Sequence, residues 1–113
     1  MRSRSSTELP PPVKKALKKL GSDINEARRR RGISTLDMAH KAKISRPMLS
    51  RVERGDATVA LGGYANVLFV LGMNERVAEI ADVAHDRLGL ELGRKQLPKR
   101  IRSSQTRRGK PAR

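Results

Sequence analysis

A chain of 113 residues has room for one domain and little else, and with only Tyr64 and Phe69 as aromatics its core must rest on aliphatic side chains. The absence of cysteine excludes a disulfide framework, a thiolate zinc site and a cysteine nucleophile. A formal net charge of +15 points to a polyanionic partner, and no apolar run approaches the roughly 20 residues of a membrane span.

That charge is unevenly placed: +5 over residues 1–21, +4 over 22–73, −3 over 74–93 and +9 over 94–113. The centre is mildly basic and the two ends hold the excess, either to attract phosphates or to keep the chain solvated.

Residues 1–12 are polar and end in Pro10-Pro11-Pro12, which reads as a flexible arm and not as a secretory signal; a soluble intracellular protein is the expectation. Val13, Leu17, Leu20, Ile24 and Ala27 then recur at helical spacing, with Gly21-Ser22 a candidate break and Gly32 the stop. Ser34-Thr35-Leu36-Asp37 resembles a capping box and predicts a second helix to about Lys41 that buries Leu36, Met38 and Ala39. Ser45 is a good N-cap with Pro47 in the first turn, so a third helix follows, with Met48, Leu49 and Val52 inward and Gly55 at its end. Leu61, Ala65, Leu68 and Leu71 space as a fourth helix. Asn74 caps a fifth, whose apolar stripe Val77, Ile80, Ala81, Ala84 and Leu88 is a candidate homodimer face, or else packs onto the first helix. Leu88, Leu90 and Leu92 alternate as in a very short strand. The domain is thus expected over residues 13–92, followed by a basic disordered tail over 93–113.

The second and third helices are joined by only a few residues around Ala42-Lys43-Ile44, which forces a sharp crossing. Leu20 to Gly32, then Leu36, Met38-Ala39, Ile44-Ser45-Arg46 and above all Leu49-Ser50-Arg51-Val52-Glu53-Arg54-Gly55, make a longer pattern. Over about residues 20–73 it resembles the Cro/repressor-like (XRE) helix-turn-helix family, apart from Gly62-Gly63 at the start of the fourth helix. The resemblance implies an all-α, five-helix repressor-like DNA-binding domain with flexible basic termini. It also implies a homodimer on a palindromic double-stranded operator, in the bacterial cytoplasm and at the nucleoid.

Carried onto this sequence, the family pattern makes Arg46 and Arg51 base readers, a role that suits a guanidinium facing guanine O6 and N7. Pro47 and Ser50 are further base contacts, Pro47 through apolar contact only. Thr35, Lys43 and Arg54 are phosphate contacts. Glu53 pairs inward with Arg28 as a structural salt bridge. The segments Leu88-Gly89-Leu90-Glu91-Leu92 and Leu97-Pro98-Lys99-Arg100-Ile101-Arg102 resemble HipB-like antitoxins. That implies a repressor of its own operon which also binds a HipA-like kinase toxin. A prophage or stand-alone repressor is the alternative, and a basic RNA-binding protein a third reading, although single-strand readers commonly carry aromatic platforms. No catalytic constellation, metal site or cofactor motif stands out; His40 and His85 are far apart in sequence.

Overall fold

The computed structural model describes residues 8–96, with the backbone alone for the last two. Their regular elements are all helical: α1 (Pro11–Arg30), α2 (Thr35–Ala42), α3 (Arg46–Glu53), α4 (Leu61–Val70), α5 (Asn74–Ala78), a 3-10 turn (Val83–His85) and α6 (Arg87–Gln96). No helix among them is long and apolar enough to cross a membrane. The chain divides after Val77 into two compact units, and the core belongs to the first.

Within that first unit, Ile24 of α1, Met38 of α2, Leu49 and Val52 of α3 and Val67 of α4 are fully buried. Helix α3 packs on α1, and α2 packs on α4. Asn66 Nδ2 donates to Ala42 O at 3.2 Å, tying α4 to the last turn of α2 and satisfying one of its free carbonyls. Two expected core residues lie outside it. Leu36 is 59% and Leu61 63% exposed. Leu36 lies about 200° round α2 from the fully buried Met38, and in α4 Tyr64 with Val67 takes the place expected for Leu61.

The prolines begin α1 instead of ending an arm. Pro10 is its extended N-cap and the next two occupy the first helical positions, where an N–H would have no partner. Residues 1–7 of the expected arm lie outside the described residues. Nor does Gly21 break α1: the helix is continuous, and Gly21 is buried where a Cβ would stand 2.7 Å from Val52 O and 2.8 Å from Glu53 O. Glycine is there because the backbones of α1 and the end of α3 nearly touch. On the other side of this contact, Gly55 has φ +72° and faces the Leu17 backbone, so its chain reversal and its close approach both require glycine.

The expected fifth helix is the main correction. A single helix carrying Val77, Ile80, Ala81, Ala84 and Leu88 does not exist, because α5 stops at Ala78. Two aspartates supply the physical reason. Asp82 is extended and its carboxylate accepts from Ala84 N at 2.8 Å, while Asp86 accepts from Gly89 N at 2.9 Å. Each side chain starts a new element where a helix would have to continue. Val77 packs against the core of the first unit, whereas Ile80 and Leu88 are exposed. Leu88, Leu90 and Leu92 are in α6 and not in a strand, and α6 runs past the expected domain end at residue 92. The rest of the expected tail, from residue 97, lies outside the described residues.

The Gly21 contact generates a paired prediction. Gly21→Ala pushes a methyl group into backbone and should lower stability by about 1–3 kcal/mol, as overpacking does. Gly62→Ala, in the first turn of α4 with nothing near its would-be Cβ, should raise it by up to about 1 kcal/mol. Urea denaturation of both variants checks this; equal midpoints would contradict the contact.

Candidate nucleic-acid interface

Both short helices start on a serine whose hydroxyl fixes the first turn. Ser34 Oγ accepts from Asp37 N at 3.0 Å, and Ser45 Oγ accepts from Met48 N at 3.1 Å. Between them Lys43 takes a left-handed conformation (φ 59°), and Ile44 N donates to Ala39 O at 3.0 Å. This closes α2 and turns the chain into α3 within three residues.

Because Leu49 and Val52 face the core, the helical period puts Arg46, Pro47, Ser50 and Arg51 outside, and all four are exposed. Arg54, just past the helix, continues the same side. Two links run along this surface: Arg46 Nη2 donates to Thr35 Oγ1 at 3.4 Å, and Arg54 Nη1 donates to Ser50 Oγ at 2.8 Å. The structure thus brings together the Thr35, Arg46, Ser50 and Arg54 side chains from two helices. Arg51 is exposed beside them, while Lys43 sits apart in the turn. Among the described residues neither Arg46 nor Arg51 is ion-paired with a carboxylate, so both guanidinium forks remain available to an outside acceptor.

Glu53 points the other way. Its Oε2 accepts from Arg28 Nε at 2.7 Å, and its Oε1 accepts from Arg28 Nη2 at 3.2 Å and Asn25 Nδ2 at 2.7 Å. Arg28 Nη1 completes the set by donating to Ile33 O at 2.8 Å. The two charged side chains are 9% and 10% exposed. One residue of this cluster, Asn25, escaped the sequence reading, although it lies one helical turn before Arg28 on the same side of α1. The remaining arginines of the run are held locally: Arg30 pairs with Glu26 at 2.7 Å, Arg29 reaches Asn25 at 3.4 Å, and Arg31 donates to Ala27 O at 2.9 Å.

The loop after α3 is also organised by side chains the sequence reading passed over. Asp56 Oδ1 accepts from Thr58 N at 2.7 Å and Thr58 Oγ1 at 2.6 Å, and Tyr64 donates its hydroxyl to Asp56 O at 2.7 Å. The Asp-x-Thr spacing of an Asx turn was the available signal. The Thr58 hydroxyl holds the Asp56 carboxyl below its ordinary value, aided by the Thr58 amide and by Arg51 and Arg54 against a small opposing effect of burial. Burial pushes the Tyr64 phenol up, and Asp56 adds to this. A folded-state value below the unfolded one stabilises at neutral pH and is lost as pH falls through the folded value. Thr58→Val should therefore leave a protein whose stability depends less on pH below about 4, where aspartate protonates, as followed by acid titration of the unfolding midpoint. An unchanged acid dependence would contradict the Asp56–Thr58 bond.

Among the described residues no group of three or more His, Cys, Asp or Glu side chains could hold a metal ion. His40 is exposed, and His85 lies 3.6 Å from Glu79. No protein-family model, curated protein or solved structure matches the chain.

The buried cluster makes its own prediction. Glu53→Ala leaves the Arg28 guanidinium buried without its carboxylate and should cost about 3–5 kcal/mol. Denaturant titration measures this; a loss under 1 kcal/mol would show that the cluster does not hold α3 in place.

Proposed function

We propose that this chain is a sequence-specific double-stranded-DNA-binding transcriptional repressor whose α3 is the recognition helix. The observation that carries the reading is the two-sided build of α3: Leu49, Val52 and Glu53 tie it to the body, while Arg46, Pro47, Ser50, Arg51 and Arg54 stand outward. A short helix presented in this way fits a major groove about 12 Å wide. There Arg46 and Arg51 hydrogen-bond guanine edges, Pro47 packs on a thymine methyl, and Ser50 adds a polar contact. Thr35 and Arg54 meet the flanking phosphates, with Lys43 at the edge. The repressor-like fold expected from the sequence belongs to the same proposal.

A palindromic operator implies two copies, with recognition helices about 34 Å apart on one face of the duplex. The dimer contact cannot be the single-helix stripe first expected, so it must use other apolar surface. The antitoxin role rests on less. Leu88–Leu92 forms part of α6, and Leu97–Arg102 lies outside the described residues. An RNA-binding role gains nothing from the described surface, where α3 offers guanidinium forks and no aromatic ring.

The test is a salt titration of the full chain against a duplex selected from random sequence and against an unselected duplex. The selected duplex should bind about 10³-fold or more tightly at physiological salt. Arg51→Ala should narrow that ratio by about 1–3 kcal/mol, with loss confined to the base pair it reads. Equal affinity for all duplexes, or a preference for RNA, would overturn the reading.

A further inference from the structure

The first half of α1 is an anomaly of charge. Residues 11–16 are all exposed, so no core contact accounts for these turns. They and the next turn carry Lys14, Lys15, Lys18 and Lys19, with no acid on α1 before Asp23. Lys14 and Lys15 lie just past the first turn, near the positive end of the helix dipole, and Lys14–Lys18 and Lys15–Lys19 are like-charge pairs one turn apart. Among the described residues only Lys19 is compensated, by Asp23 at 2.7 Å. Local rules broken without compensation among the described residues point to an outside partner.

The structure shows where it would sit. Lys14 and Lys18 line one side of an open cleft whose opposite side is Arg54 and the loop that follows it, Gly55 to Thr58. Neither lysine is ion-paired among the described residues. The cleft holds one carboxylate, that of Asp56, and its Oδ1 is taken up by Thr58. Three cations from two separate elements thus converge against one anion already engaged within the loop. The Gly21–Gly55 approach pins the two sides together, because α1 and the start of that loop touch backbone to backbone there.

The cleft also opens at the right place. Arg54 is eight positions beyond Arg46, about 12 Å along a helix rising 1.5 Å per residue, which is about the width of a major groove. A helix with Arg46 on the base edges therefore has its Arg54 end at the sugar-phosphate strand bordering the groove.

We infer that the Lys14–Lys18–Arg54 cleft is a second DNA contact, which grips backbone phosphates beside the sequence read by α3. The inference rests on the DNA-binding reading and adds Lys14 and Lys18 to it. The cleft contributes affinity and no sequence preference, because phosphates carry no base identity. It also gives the long α1 a function: bound phosphates neutralise the lysines that otherwise oppose the helix.

The experiment uses the full chain and four proteins: wild type, Lys14→Gln/Lys18→Gln, the charge-matched Arg76→Gln/Arg87→Gln outside the cleft, and Arg51→Ala. Each is titrated with the selected and unselected duplexes over a range of salt. Loss of two phosphate contacts should reduce the slope of log affinity against log salt by about 1.8, and weaken binding roughly 10- to 60-fold at 0.1 M salt. The ratio between the two duplexes should stay at its wild-type value, and the charge-matched control should change the slope by less than half as much. An unchanged slope in the cleft variant, an equal change in the control, or a lost preference for the selected duplex would overturn the inference.

Failure of the underlying reading looks different. The wild type and Arg51→Ala would then show no preference for any duplex, and the cleft would stand or fall on its slope with unselected DNA. No binding to either duplex overturns both.

Discussion

Glu53 sits on the same short helix as the arginines that face outward, yet its carboxylate is turned into the protein and held by Arg28 and Asn25 at 2.7 Å. Everything asked of α3 depends on this attachment. The helix has eight residues and only two fully buried apolar side chains, too little to fix its rotation by burial alone. The charge cluster fixes that rotation from one side, and the Gly21–Gly55 contact fixes the distance between α1 and the end of α3. Arg28 also holds Ile33 O, so the segment leading into α2 hangs on the same guanidinium. A single arginine thus registers both short helices against α1.

That arrangement separates two roles of positive charge. Arg28 is spent inside, and the next three arginines are bound to neighbours on their own helix. The arginines of α3 and Lys14 and Lys18 of α1 face outward with no carboxylate partner among the described residues. The first group suits discrimination, since a fixed guanidinium on a rigid helix can demand one base edge. The second suits affinity. Much of the remaining charge lies in the last twenty residues.

How far the sequence could be read follows from the range of each interaction. The caps Ser34 and Ser45 and the stop at Gly55 act within four residues, and α2 and α3 stand where those residues put them. The Arg28–Glu53 pair spans 25 positions and is legible only through a family resemblance, while Asn25, one turn before Arg28, has nothing but that spacing to mark it as the third member. Gly21 reads as a helix break in the sequence, because only the backbone of a distant helix reveals why it is glycine. The fifth helix failed for the opposite reason. Its stripe of Val77, Ile80, Ala81, Ala84 and Leu88 had the right period, but Asp82 and Asp86 compete locally for backbone amides, and no burial opposes them. Periodicity alone could not weigh that contest.

The central claim is that α3 meets DNA through guanidinium forks on guanine edges, and methylation interference on the selected duplex tests it most directly. Methyl groups on guanine N7 block the acceptor that Arg46 and Arg51 would use in the major groove. Strong interference is expected at a few guanines, with one of them lost when Arg51 is replaced by Ala and another when Arg46 is. Full-strength binding to DNA methylated at every guanine N7 would contradict it.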